Sequence, residues 1–160
     1  NLYEDERGIF RRSFCENELS KQGITFTVKQ GNISQNPKRY TMRGFHYQKR
    51  PSKETKILSC VTGSLYNVVI DLRKNSKTYM EWVALEVSAT NAQSIYVPAG
   101  CANAFLTMSE NTIVHYYMGD FFKESSYGGI RYNDPSFSVK WPCEPDIISE
   151  KDLNFGDFKG

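Results

Sequence analysis

An antiparallel all-β sandwich or jelly roll is the fold class predicted for this chain of 160 residues, on three observations. Short runs of β-favouring residues recur at close intervals, turn residues separate them, and no long helical period is interposed. Ten Tyr, ten Phe and two Trp, an aromatic content of 14%, tilt the balance further toward strands. A chain of this length buries about two-thirds of its unfolded surface and folds without staples, so one domain over residues 1–160 is expected.

Taken in order, Phe14 to Gln22 reads as a short helix. Strands are then expected at Ile24 to Lys29, Tyr40 to Gln48, Thr55 to Thr62 and Leu65 to Leu72. They continue at Trp82 to Val87, Ser94 to Val97, Ala104 to Met108, Thr112 to Met118 and Phe137 to Trp141. Gly63-Ser64 reads as a tight hairpin between two of these runs, and Pro98-Ala99-Gly100 as a sharp turn. A second short helix is expected over Ser149 to Phe155, with Ser149 as N-cap and Asp152 as an acidic third position.

Strand alternation sorts side chains by face. His115 shares a face with Ile113 and Tyr117, whereas Tyr116 shares the other with Val114 and Met118, so the two cannot enter one cavity from a regular strand. His46 and Gln48 share one face of their strand, and Arg43, Phe45 and Tyr47 the other, unless a bulge at Gly44 re-aims them.

Composition excludes several function classes. The net charge is +2 and its signs are interspersed, without the basic footprint of a nucleic-acid binder. No apolar run approaches the ~20 residues of a membrane span and no secretory leader is visible, so a cytoplasmic protein is expected. Cys15, Cys60, Cys101 and Cys143 lack the paired spacing of structural zinc and read as free thiols. The two histidines stand 69 positions apart, unlike the clustered His and carboxylate set of a metal-dependent jelly-roll enzyme, so no metal is expected. Neither a G-x-S-x-G elbow nor a glycine-rich phosphate loop is present.

Metal-free acid–base chemistry remains, and its focus is Arg43-Gly44-Phe45-His46-Tyr47-Gln48. His46 suits a general base, Asp71 or Asp134 could orient it, Lys56 could stabilise a developing oxyanion, and a Tyr could return the proton. Structural readings compete at each position. A lone His on a half-buried strand can be a hydrogen-bonded core residue, and Asp71, which interrupts the apolar Val69-Ile70-Asp71-Leu72-Arg73, can be one half of an ion pair with Arg73.

Over nearly its whole length the chain resembles the dTDP-4-dehydrorhamnose 3,5-epimerase family, a metal-free branch of the cupin jelly rolls. The likeness begins at Asp5-Glu6-Arg7-Gly8-Ile9-Phe10 and runs through Gln30-Gly31-Asn32-Ile33-Ser34, Met42 to Gln48, Lys56-Ile57-Leu58 and Val69 to Ser76. It continues through Tyr96-Val97-Pro98-Ala99-Gly100, Ala104-Phe105, Tyr116, Ile130 to Pro135, Trp141-Pro142 and Ile148 to Asp152. The resemblance implies a double-stranded β-helix with short terminal helices, working without a cofactor as a homodimer on a nucleotide-diphosphate sugar in bacterial surface-polysaccharide assembly. It assigns His46 as base, Asp134 as its carboxylate partner, Lys56 as the cation near the sugar ketone, Tyr116 as the acid on the opposite face, and Asp71 as a further carboxylate lining the site. Arg7, Phe10, Gln30, Asn32, Arg43 and Gln48 match positions that hold the nucleotide, diphosphate or sugar, some reaching across from a partner subunit.

Four positions depart from the family pattern. Asn103 stands where a second active-site histidine is usual, Phe122 for a second Tyr, Tyr127 for an acidic residue and Ile33 for a frequent His. Asn103 can still bind sugar or diphosphate but cannot become a cation. The expected activity is inversion at C3, C5 or both of a nucleotide-activated 4-keto-6-deoxy sugar. The alternatives are a C3-only epimerase of a GDP-linked 4-keto heptose, a ketoisomerase and a noncatalytic nucleotide-sugar binding module.

Overall fold

The computed structural model describes residues 2–160. The chain opens with β1 (Leu2–Asp5) and β2 (Gly8–Arg11), an antiparallel ribbon pairing with itself, followed by the five-residue helix α1 (Glu16–Ser20). Next come β3 (Gln30–Asn36), β4 (Met42–Gln48), β5 (Lys56–Thr62), β6 (Ser64–Asp71), β7 (Trp82–Ser88) and β8 (Ser94–Val97). Strands β9 (Cys101–Thr107), β10 (Thr112–Met118) and β11 (Tyr127–Gly129) follow, and α2 (Glu150–Leu153) is the last element.

Two sheets face each other, one ordered β3-β10-β5-β8 and the other β11-β4-β9-β6-β7, and all their strand pairings are antiparallel. From β3 onward the chain crosses between sheets at nearly every connection, which is the jelly-roll course expected for the cupin class. Leu58, Cys60 and Val114 of one sheet meet Val69, Val87 and Phe105 of the other to form the core between them. The outer face of the five-stranded sheet is covered too, because Met42, Val68, Ile70, Ala104 and Leu106 pack under Ile130 and Phe137 of the chain's last third. A sheet covered on both faces wants apolar residues at successive positions, and β9 is buried at all seven.

Several expectations are corrected. Ile24 to Lys29 and Phe137 to Trp141 are not strands; Phe26 and Phe137 are buried anchors of irregular segments, so their apolar residues pack without pairing. Gly63 is not a hairpin turn but a corner, since β5 and β6 lie in different sheets. The β1–β2 ribbon, β3 and β11 escape the sequence pattern because β1 and β2 are almost wholly exposed, β3 is polar and β11 has three residues. The Pro98 to Gly100 turn forms, closed by Cys101 N–H donating to Pro98 O at 3.2 Å. The four cysteines are unpaired thiols.

Candidate active site

Two adjoining cavities of about 280 and 250 Å³ open between the sheets, and His46, Lys56 and Tyr116 line both. Arg43 and Asn103 belong to the first chamber, and Gln30, Asn32, Gln48, Glu54 and Tyr127 to the second. The strand registers explain the convergence. His46 lies opposite Asn103 across β4 and β9 of one sheet, and Tyr116 lies opposite Leu58 and Asn32 across β5, β10 and β3 of the other. Alternation along β10 sends Tyr116 inward while His115 stacks edge-on against Tyr117, ring centroids 4.5 Å apart, as the period of two requires.

Arg43 and His46 could not share a chamber on a regular strand, but the pairing of β4 with β9 slips between them. Gly44 makes the slip possible. Its φ is +104°, and a Cβ there would lie 2.5 Å from Asn103 O.

The carboxylate partner of His46 is Asp152, not Asp134. Nε2 of His46 and Oδ1 of Asp152 are 2.7 Å apart, and the other carboxylate oxygen accepts from Gly44 N–H at 3.1 Å. Burial opposes ionisation of Asp152, but the hydrogen bond and charge of His46, then Gly44 N–H and Ser149, outweigh it and hold the carboxyl below its ordinary range. An ionised carboxylate only accepts, so Nε2 carries a hydrogen, and it is Nδ1 that has the lone pair whenever the ring is neutral. Ser149 Oγ caps α2 by accepting from Asp152 N–H at 3.1 Å, which fixes the backbone from which this carboxylate reaches β4. Asp134 instead closes a loop, accepting from Ser136 N–H at 2.8 Å and Phe158 N–H at 2.7 Å.

Rings complete the imidazole's setting. Tyr127 lies 5.5 Å and Phe155 6.3 Å from the His46 ring, centroid to centroid, and Lys151 sits 4.0 Å over the face of Tyr127. Phe155 reaches this place because residue 129 has no side chain; a Cβ there would fall 2.0 Å from the ring. Burial pushes the Tyr127 phenol up to about 12, with Asp152 and Glu54 adding to it.

Lys56 Nζ pairs with Glu54 at 3.1 Å and donates to His46 O at 3.4 Å, leaving one of its three N–H donors for a ligand. Glu54 is buried and also accepts from Gln48 Nε2 at 2.6 Å; the sequence offered no reason to choose it from among the acidic residues. Burial raises the Tyr116 phenol, Arg43 pulls it back and Glu54 adds to the rise, so it stays protonated at neutral pH. Arg43 is held by its Nε donating to Asn36 Oδ1 at 2.8 Å.

Asp71 does not line either chamber. It grips Arg73 through two side-chain hydrogen bonds of 2.8 Å, accepts from Thr78 Oγ1 at 2.7 Å and borders a separate cavity. The Arg73 guanidinium holds its carboxyl well below the usual range, the ion-pair reading of this residue. Arg7 and Phe10 lie on the β1–β2 ribbon away from both chambers, Arg7 paired with Asp5 and Phe10 70% exposed. Gln48 borders the second chamber, but its amide is committed to Glu54, Phe121 O and Lys123 N–H. Among the described residues no three His, Cys, Asp or Glu side chains converge as a metal set.

A base with a fixed tautomer, a cation and a protonated phenol facing one cavity can enolise a carbon acid and return a proton from another direction. The comparisons with known proteins agree in class. The model of the dTDP-4-dehydrorhamnose 3,5-epimerase family matches residues 1–160. An enzyme of that name from Methanothermobacter thermautotrophicus is 36% identical over 157 residues, covering 96% of this chain and 84% of its own. The crystal structure of the Bacillus anthracis enzyme of that name, with TDP and PPi bound, superposes with a TM-score of 0.95 at 34% identity, covering 99% of this chain and 90% of its own. A 3'-monoepimerase from Streptomyces bikiniensis in complex with dTDP-quinovose superposes with a TM-score of 0.90 at 26% identity, over 98% and 80% of the two chains. Sheet order, cavity and whole-length similarity thus agree, and the chain belongs to the dTDP-4-dehydrorhamnose 3,5-epimerase family of nucleotide-sugar isomerases.

Proposed function

We propose that this protein epimerises a dTDP-linked 4-keto-6-deoxy sugar at C3 and C5 by enolisation at His46. One observation carries the reading: the 2.7 Å contact between His46 and Asp152 at the edge of a cavity that Lys56 and Tyr116 share. The C4 ketone acidifies its neighbouring C–H bonds because the electron pair left behind spreads onto oxygen. His46 Nδ1 takes the proton, and Asp152 stabilises the imidazolium that forms. The free N–H of Lys56 faces the oxyanion, a term worth about 3 kcal/mol for a preorganised donor. Tyr116 then gives a proton to the other face of the carbon. Its origin on the sheet opposite His46 supports delivery from the other side of a ring lying between them. Arg43 suits the diphosphate through its guanidinium fork.

The nucleotide follows the relatives, whose structures include complexes with TDP and with a dTDP sugar. The exposed β1–β2 ribbon, with Ile9 and Phe10 uncovered, fits a homodimer in which Arg7 and Phe10 complete the neighbour's site. Inversion at C3 alone is the second reading, favoured by Asn103 and by the likeness to the 3'-monoepimerase. A GDP-linked 4-keto heptose would use the same catalytic set.

Proton NMR of the 4-keto nucleotide sugar in deuterated water tests the proposal. The wild type is expected to wash out both H3 and H5, or H3 alone in the second reading, and His46→Asn neither, while still binding nucleotide. A migrated ketone would mean isomerisation, an unchanged spectrum binding only, and full exchange by His46→Asn would remove that residue from the chemistry.

A further inference from the structure

We infer that Asn103 is a specificity residue whose side-chain oxygen takes a hydrogen bond from a hydroxyl group of the sugar and not from the diphosphate arm; the inference rests on the enolisation reading above. Its amide orientation follows from the backbone. Nδ2 lies 3.1 Å from Val68 O, and a carbonyl oxygen can only accept, so the group facing it is the NH₂. The same nitrogen donates to Asn67 Oδ1 at 2.8 Å. A flip of the Asn103 amide would put its oxygen against Val68 O, so the orientation is locked from behind.

Asn103 Oδ1 has no donor among the described residues, although the residue is only 7% exposed and borders the chamber holding Arg43, His46, Lys56 and Tyr116. It is not sealed off either, since the side-chain atoms buried without a partner are Asn67 Nδ2 and Arg131 Nε. The protein thus leaves Asn67 Nδ2 unsatisfied while holding the neighbouring amide with its acceptor free. A fixed carbonyl dipole repels phosphate oxygens and attracts O–H. The ligand groups that answer to it are the hydroxyls at C2 and C3 of the ring. A histidine at this place could donate, or carry charge; Asn103 does neither toward the cavity.

The experiment measures dissociation constants by calorimetry with His46→Asn as an inert background, for the parent 4-keto sugar nucleotide, its 2-deoxy and 3-deoxy analogues, and dTDP alone. Asn103→Ala and the near-isosteric Asn103→Leu are each added to that background. Loss of the correct hydroxyl is expected to weaken binding about tenfold in the Asn103 protein and to have little effect once Asn103 is replaced, while dTDP binds all forms alike. The analogue that shows this non-additivity identifies C2 or C3. Equal binding of parent and both analogues by the Asn103 protein, equal penalties in every protein, or weakened dTDP binding by the Asn103 variants would each overturn the inference. Loss of proton exchange by the wild type on the parent would instead strike the enolisation reading.

Discussion

Replacing Asp152 by Asn tests the His46–Asp152 pair with almost no change of shape. Asp152 is 4% exposed and has two obligations, one oxygen to Gly44 N–H at 3.1 Å and the other to His46 Nε2 at 2.7 Å. An asparagine must keep its oxygen on Gly44, because an N–H cannot face an N–H. Its NH₂ then faces Nε2, which becomes an acceptor and pushes the ring hydrogen onto Nδ1, the atom that should take the substrate proton. Two losses follow. The charge-assisted bond that would steady the imidazolium is worth about 1.5–3 kcal/mol, or roughly 10- to 150-fold in rate. The wrong tautomer adds to it; in His–Asp pairs of serine proteases the same change costs ~10⁴ in kcat. A fall of about 10²–10⁴ in solvent-deuterium exchange at C3 and C5 is expected, with nucleotide affinity kept and a folded protein by circular dichroism. Exchange at the wild-type rate in a folded Asp152→Asn protein would refute the assignment of Nδ1 as base.

Three further outcomes are expected. Lys56→Met should lower kcat by about 10²–10³ through loss of the oxyanion contact and also destabilise the fold by stranding Glu54; adding Glu54→Gln should restore the melting temperature but not kcat. Asp71→Asn and Asp134→Asn should each lower the melting temperature while leaving kcat and KM near wild type, because both serve loops outside the chambers; a selective loss of kcat would return the residue concerned to the site. The Asp152 carboxyl is held below its ordinary value of 3.8, so its contribution to stability is present above that pH and is lost as pH falls through the lowered folded value. Acid unfolding followed by tryptophan fluorescence should therefore be shallower for Asp152→Asn than for wild type, and coincident curves would contradict the direction.

Much of the site was legible in the sequence because its parts are short and local. His46 and Arg43 lie in one strand around Gly44, Lys56 opens the next strand, and alternation puts Tyr116 and His115 on opposite faces of theirs, the family resemblance singling out Tyr116. The strands that pack on both faces were legible for the same reason, since burial writes a continuous apolar run. Exposed or polar strands write nothing of the kind, which is why β1, β2 and β3 went unseen and the buried aromatic rings of Phe26 and Phe137 suggested strands that do not exist.

The residues alone set the chemistry available at the site: the imidazole of His46, the ammonium of Lys56, a set of tyrosines and a glycine where the backbone bulges. Tertiary structure decided which carboxylate serves the imidazole. Asp134 and Asp152 are equivalent on paper, and the sequence reads the latter as the acidic third position of a capped helix; only the packing of α2 against β4 brings residue 152 onto residue 46. It also decided that the Asn103 amide turns its nitrogen onto Val68 O and Asn67 Oδ1. Such choices depend on contacts between residues 35 or 106 positions apart, and no local pattern of side chains encodes which distant partner will be met.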